Sequence, residues 1–204
     1  MPRNPVIVFE GVETSGKSTN INSVCKYLKK KKIKYLKFRE PGGSIYSEKI
    51  RKLLLNKNSQ LSIKTDLLLM LASRSENYSK LIKKNYKKKI ILIDRFIDST
   101  YAYQHYGMGI PKNVIKSINK FIIGSFKPDL TFLSIVNNKD LLNRLRRRKR
   151  KDRYDKFNNN FFRKVQEGFL KIAKTKNNYV LLDSSKYNSK EIGDQIIHRI
   201  NKLI

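Results

Sequence analysis

The sequence holds one cysteine, Cys25, no tryptophan, and only 16 acidic residues against 46 basic ones in 204 positions. A lone cysteine closes no disulfide within the chain, so the fold must rest on a packed core, and the chain reads as intracellular. No stretch reaches the roughly 18 apolar residues of a membrane span, and the N-terminus shows no apolar signal-peptide region. Collagen, coiled-coil arrays, secreted disulfide scaffolds and membrane proteins are thereby set aside. Hydrophobic residues make up 39%, below the roughly 45–50% of typical globular chains. They gather in clean runs, which speaks for a core and against wholesale disorder. What the sequence does have in excess is positive charge: the formal net charge is +30, the footprint expected of a nucleic-acid binder.

Most of that charge is lysine, dispersed along the whole length. Two runs, Lys29–Lys34 and Lys83–Lys89, fall where a helix is expected to end before a strand, a position that suits cations. Abundant lysine, asparagine and isoleucine with little alanine is also what AT-rich coding produces. These two runs therefore read as solvated faces. A third run, Arg144–Arg153, is arginine-rich and lies in a different setting.

Short apolar runs bounded by turns predict five buried strands, at Pro5–Glu10, Ile33–Phe38, Ile90–Asp94, Leu130–Val136 and Tyr179–Asp183. Helical patterns run between them over Lys17–Lys31, about Ser44–Leu55 and Leu61–Asn85, with an amphipathic helix carrying Ile192, Ile196, Ile197, Ile200 and Leu203 at the end. Pro41-Gly42-Gly43 breaks both regular structures and marks a loop. Strands alternating with helices throughout predict one α/β domain with parallel strands and right-handed crossovers.

Gly11-Val12-Glu13-Thr14-Ser15-Gly16-Lys17-Ser18 fits G-x-x-x-x-G-K-[ST], directly after a strand and before a helix. The glycines let successive N–H groups point at phosphate oxygens, and the helix adds its positive end. Lys17 is expected to reach the β- and γ-phosphates and Ser18 to ligate Mg²⁺. A phosphoryl acceptor then needs arginines opposite this loop, and Arg51, Arg74 and Arg95 stand at or near the ends of elements. Asp94, at the carboxyl end of the third strand, is placed either to join the Mg²⁺ shell or to hold Arg95.

Four strings, FEGVETSGKST, FREPGG, DRFIDSTYAYQ with its GMGI tail, and FKPDLTFL, resemble bacterial thymidylate kinase. The resemblance implies a three-layer P-loop fold with a five-stranded parallel sheet flanked by helices, an arginine-rich lid, and one kinase domain over 1–204. It implies ATP + dTMP → ADP + dTDP with Mg²⁺, in dTTP biosynthesis, by a cytoplasmic homodimer. By the same likeness Glu13 holds the deoxyribose 3′-hydroxyl, Arg95 and Arg51 hold the dTMP phosphate, and Arg74 reaches a thymine carbonyl. Gln104 with Thr100 reads the base edge, and Glu40 and Pro41 shape the acceptor pocket. Tyr103 serves equally well as a plain core aromatic. Met70 stands where the family usually has a phenylalanine stacked on thymine; its thioether can still cover a base face, though with weaker stacking.

The family's catalytic arginine comes from the phosphate loop or from the lid. Here the loop has Thr14 and no arginine, so the lid, about residues 144–157, is expected to supply it, with Arg153 in KDRYD the best match and Arg148 the second. Two other readings remain: a deoxynucleoside kinase, which takes an unphosphorylated sugar, and, from another class, an ATP-dependent nucleic-acid-binding protein. Against the latter stand the dispersed lysines and the lack of a recognition motif, so no specific nucleic acid and no membrane are expected as partners.

Overall fold

The computed structural model describes residues 4–147 and 152–204. Five strands, β1 (Val6–Gly11), β2 (Tyr35–Arg39), β3 (Ile90–Asp94), β4 (Leu130–Ile135) and β5 (Tyr179–Asp183), form one sheet in the order β2-β3-β1-β4-β5, every pair parallel. The helices are α1 (Lys17–Lys30), α2 (Ile45–Leu55), α3 (Ile63–Asn77), α4 (Lys83–Asn85), α5 (Ile97–Thr100), α6 (Lys112–Ile123), α7 (Asn138–Arg146), α8 (Asn159–Ala173) and α9 (Ser189–Asn201).

β1 is buried along its whole length, and its alternation divides the core. Ile7 and Phe9 join Ile21, Val24 and Leu28 of α1 and Ile192, Ile196 and Ile200 of α9 on one face. Val6 and Val8 join Ile91, Ile93 and Phe96 on the other. Phe9 stacks on Phe132 of β4 with ring centroids 5.3 Å apart. Burying each such side chain contributes about 1.5–3 kcal/mol, so the central strand is firmly held and the loop that follows it starts from a rigid anchor. Under α8 a third cluster gathers Tyr103, Tyr154, Phe161, Phe162 and Phe169 with Val12 of the glycine-rich loop.

β3 and β5 lie at their expected bounds. β2 begins later than Ile33 because the chain leaves α1 through Lys32 at φ 57, and the Ile33 N–H bonds back to the Leu28 carbonyl at 2.9 Å. The helix expected over Leu61–Asn85 is in three pieces: α3, a π-helical turn at Tyr78–Ile82, and α4. α9 opens with a capping box between Asn188 and Glu191, two orphan N–H groups satisfied at once. Register sets Phe9, Asp94 and Arg39 side by side at the carboxyl edge of the sheet, where open α/β sheets bind ligands.

Candidate active site

β1 runs into the glycine-rich loop at Gly11, whose φ is 139° and whose absent Cβ would lie 2.3 Å from the Ser134 carbonyl oxygen of β4. Only glycine fits there. α1 starts at Lys17 after Gly16, with no side-chain cap and no acidic residue in its first turn, so its leading N–H groups and positive end remain available to an anion. Lys17 lies folded against the loop, its Nζ donating to the carbonyls of Gly11 at 2.9 Å and Val12 at 2.6 Å. Burial, reinforced by the Arg95 charge, pushes this ammonium down to about 7. Ser18 stands exposed at the loop's mouth.

The segment after β3 is built around Arg95, at φ 68. Its guanidinium donates to the Gly11 carbonyl at 2.8 Å and to Glu13 Oε1 at 2.9 Å, and lies 5.1 Å from the Tyr103 ring centre. Tyr103 donates its hydroxyl to the other oxygen of Glu13 at 2.5 Å. Burial drives the Glu13 carboxyl upward, but Arg95 and Lys17 outweigh it and the net displacement is downward, so Glu13 is a carboxylate. Glu10, wholly buried on β1, holds this segment from beneath by accepting the N–H groups of Phe96 at 2.9 Å and Ser99 at 3.2 Å and the Ser99 hydroxyl at 2.5 Å. Burial and the nearby Asp98 raise Glu10 to about 7.

Across the cleft the Glu40–Pro41 loop is pinned between α2 and α3. Arg51 donates to the Pro41 carbonyl at 2.7 Å, and Asn77 to the Gly42 carbonyl at 2.7 Å. Arg74, 2% exposed, spends all three nitrogens: on Glu40 at 2.9 Å, on Asn119 at 2.9 Å and on the Phe96 carbonyl at 2.8 Å. Its planar fork, with five N–H groups, still has donors to spare. Burial pushes the Glu40 carboxyl upward, against the pull of Arg74.

These groups surround one cleft of about 380 Å³. Glu13, Thr14, Lys17, Ser18 and Asp94 line one end; Glu40, Pro41, Arg51, Met70, Arg74, Arg95, Thr100, Tyr103 and Gln104 line the rest. Glycines 11 and 16, Val12 and Ser15 form the loop itself, with Ser15 Oγ bonded to the Val12 carbonyl at 2.8 Å. Arg153 is the site residue expected from the sequence that does not line it. Its Nε donates to the Leu54 carbonyl at 3.0 Å and its guanidinium pairs with Asp66 of α3; its neighbours Asp152 and Tyr154 are the ones at the cleft. Arg148 and Arg150 lie outside the described residues. Arg144 instead braces the loop, donating to the Thr14 carbonyl at 3.2 Å and to Ser184 at 3.0 Å. Nothing in the arginine run sets it apart in sequence. Glu10, Ser99 and Asp66 also went unsuspected, because a single buried carboxylate or hydroxyl carries no spacing signature.

A divalent cation has a plausible seat. Asp94 Oδ1 is buried without a hydrogen-bond partner among the described residues, as is Thr14 Oγ1, and a buried acceptor left unmatched calls for a ligand. No group of three or more histidine, cysteine or carboxylate side chains converges among the described residues. Mg²⁺ binds through one or two carboxylates plus substrate phosphates, a demand that Asp94 can meet.

The family model described as thymidylate kinase matches residues 9–196. Thymidylate kinase of Thermosipho africanus is 39% identical over 88% of this chain and 90% of its own length. That of Vesicomyosocius okutanii is 38% identical over 96% and 97%. The crystal structure of thymidylate kinase from Ehrlichia chaffeensis superimposes with a TM-score of 0.79 at 31% identity, covering 98% of this chain and 99% of that one.

Proposed function

The chain belongs to the thymidylate kinase family and phosphorylates dTMP to dTDP, and on that premise we propose that ATP is the donor, with Mg²⁺ as the ion that would accompany it. The observation that carries this reading is the meeting of two phosphate-binding sets in one cleft: the glycine-rich loop with Lys17 and Ser18, and the arginines Arg95 and Arg51. The loop's N–H groups and Lys17 hold the ATP phosphates, while Ser18 and Asp94 hold the metal. Bound there, Mg²⁺ supplies charge neutralisation between donor phosphates. Arg95 and Arg51 grip the acceptor phosphate and orient it. Glu13, kept ionised by Arg95, accepts the 3′-hydroxyl; Tyr103, bonded to Glu13, closes the floor beneath the sugar. Met70 covers one face of the base, with Arg74, Thr100 and Gln104 along its edge and the Glu40–Pro41 loop behind.

The test is ADP release with dTMP, dUMP, thymidine or no acceptor. Turnover is expected with dTMP well above thymidine, because thymidine leaves Arg95 and Arg51 without their anion. Thymidine outperforming dTMP would overturn the monophosphate reading.

The whole chain acts as one kinase domain, with residues 144–157 as a lid whose arginines stabilise the transferring phosphoryl group. Arg153 serves there only by giving up Asp66, and breaking a buried pair costs about 3–5 kcal/mol. Its geometry favours a prop for the lid's return into α8, and the transition-state role then falls to the rest of the run, Arg148 first. Arg153→Met is therefore expected to lower kcat by less than about tenfold while lowering the melting temperature by several degrees, for a loss of about 3 kcal/mol of stability, the lower end of the range for a broken buried pair. A fall in kcat of about 10³ or more with an unchanged melting temperature would restore Arg153 as the arginine that meets the phosphoryl group.

Two copies are proposed to associate, since Leu68 of α3 and Phe121 of α6 are 57% and 90% exposed; a sedimentation mass of one chain would refute this. No helix among the described residues is long and apolar enough to cross a membrane, and a cytoplasmic setting is proposed from the lone cysteine and the nucleotide substrates.

A further inference from the structure

We infer that Asp66 determines which base the cleft accepts, by turning the carbonyl end of Gln104 toward it. Asp66 is fully buried on α3, and Gln104 is 1% exposed in the π-helical segment Tyr101–Gly107. Gln104 Nε2 donates to Asp66 Oδ1 at 2.9 Å. The same carboxylate takes the Arg153 guanidinium, and the Tyr154 hydroxyl lies 2.9 and 2.8 Å from its two oxygens. A carboxylate paired with a guanidinium only accepts hydrogen bonds. The Gln104 amide therefore has one tolerable orientation: reversed, it would set oxygen against oxygen between two buried side chains. With the nitrogen so committed, the amide oxygen is the end left for the cleft that Gln104 lines.

An acceptor at that point selects by hydrogen-bond polarity. Thymine and uracil carry an N3–H that donates to it. Cytosine carries a lone pair at N3, which would face the amide oxygen unpaired. Sites that match a substrate's polar group discriminate far better than apolar pockets, because the wrong partner leaves buried groups unsatisfied. Asp66 touches no base itself; it is a positioning residue acting through Gln104, and the choice of imide bases over cytosine is what it controls. The inference rests on the proposed placement of the dTMP base along Gln104.

The experiment compares kcat/KM for dTMP and dCMP in the wild type, Asp66→Asn, Gln104→Leu, the double variant and Arg153→Lys, by ADP release. Asparagine offers either end to Gln104, so the amide is released, and the dTMP-to-dCMP ratio is expected to fall about tenfold or more. Gln104→Leu should lower it as well, and Asp66→Asn should add nothing further in the leucine background, the non-additivity of two residues acting through one bond. Arg153→Lys, which keeps a cation on the same carboxylate and leaves the Asp66–Gln104 bond, should keep the ratio within about twofold whatever happens to kcat. An unchanged ratio in Asp66→Asn, or an equal fall in Arg153→Lys, overturns the inference. If Asp66→Asn does not fold, an unchanged ratio in Gln104→Leu overturns it alone, and a fallen ratio supports it. A wild type that does not prefer dTMP to dCMP would instead sink the proposed base placement.

Discussion

Replacing Arg95 with alanine is expected to raise the KM for dTMP by about two to four orders of magnitude, the worth of two charge-assisted hydrogen bonds of about 1.5–3 kcal/mol each. The argument is geometric. Arg95 is held at a positive φ by strand pairing and by the Glu10 carboxylate under the next turn, so its guanidinium is pre-aimed and little ordering is needed on binding. Removing it also strips Glu13 of its ion-pair partner, leaving that carboxylate with the Tyr103 hydroxyl and the Lys17 charge. Glu13 then drifts upward from its lowered value, and its grip on the sugar weakens further. ATP should be less affected, within about tenfold, because the loop loses Arg95 at the Gly11 carbonyl and at Glu13 but keeps Lys17, Ser18 and the helix end. Arg95→Lys should recover only part of the loss, since an ammonium cannot span both partners. Steady-state kinetics with each substrate varied in turn decides the matter: an unchanged dTMP response removes Arg95 from the acceptor site.

The second large effect belongs to Lys17. Lys17→Met is expected to lower kcat by about 10³, the upper range for losing one preorganised donor to developing phosphoryl charge. Its pH behaviour is more diagnostic. Lys17 titrates at about 7 while it lies on its own loop's carbonyls. Below that pH it is already charged when nucleotide arrives. Above it, the neutral amine must take up a proton to meet a phosphate, so ATP affinity falls by about tenfold per pH unit until other groups intervene. Calorimetry at pH 8 in buffers of different ionisation enthalpy should show nearly one proton taken up per ATP bound. No proton uptake would mean that the ammonium keeps its charge in the free protein. The same depression has a stability consequence of fixed sign: the unfolded chain binds the proton more tightly, so the nucleotide-free fold gains stability as pH rises from about 7 toward 10.5. In Lys17→Met that gain should vanish.

The three central strands were legible because they are almost wholly buried and read as continuous apolar runs, and the bounds Ile90–Asp94 and Tyr179–Asp183 needed no correction. Helix exits were less so, since the left-handed turn at Lys32 that delays β2 uses a residue with no preference for it. The π-helical segments at Tyr78–Ile82 and Tyr101–Gly107 were invisible, because a widened turn interrupts the 3.6-residue period on which helix reading depends. At the site, the glycine-rich loop announced itself by spacing. Arg51, Arg74 and Arg95 stood out as cations near the ends of elements. Arg153 matched a string, but a string does not say which way a side chain turns; the buried Asp66, 87 residues earlier, turns it away. Glu10 and Asp66 were silent for the complementary reason. Each is a lone acid inside an apolar stretch, and its partners come from 86 to 89 and from 38 to 88 residues away.

The collision recorded at Gly11 bears on how this sequence can change. A chain so rich in lysine, asparagine and isoleucine has the composition that AT-rich coding produces, whereas glycine codons begin with two guanines. At an exposed helix position such drift costs little. At position 11 every codon that leaves glycine adds a side-chain carbon 2.3 Å from a β4 backbone oxygen, a separation that only a shift of the central strand pair can relieve. The nine glycines of this chain are thus not all expendable to the same degree. Where composition meets backbone contact, the backbone sets the limit on drift.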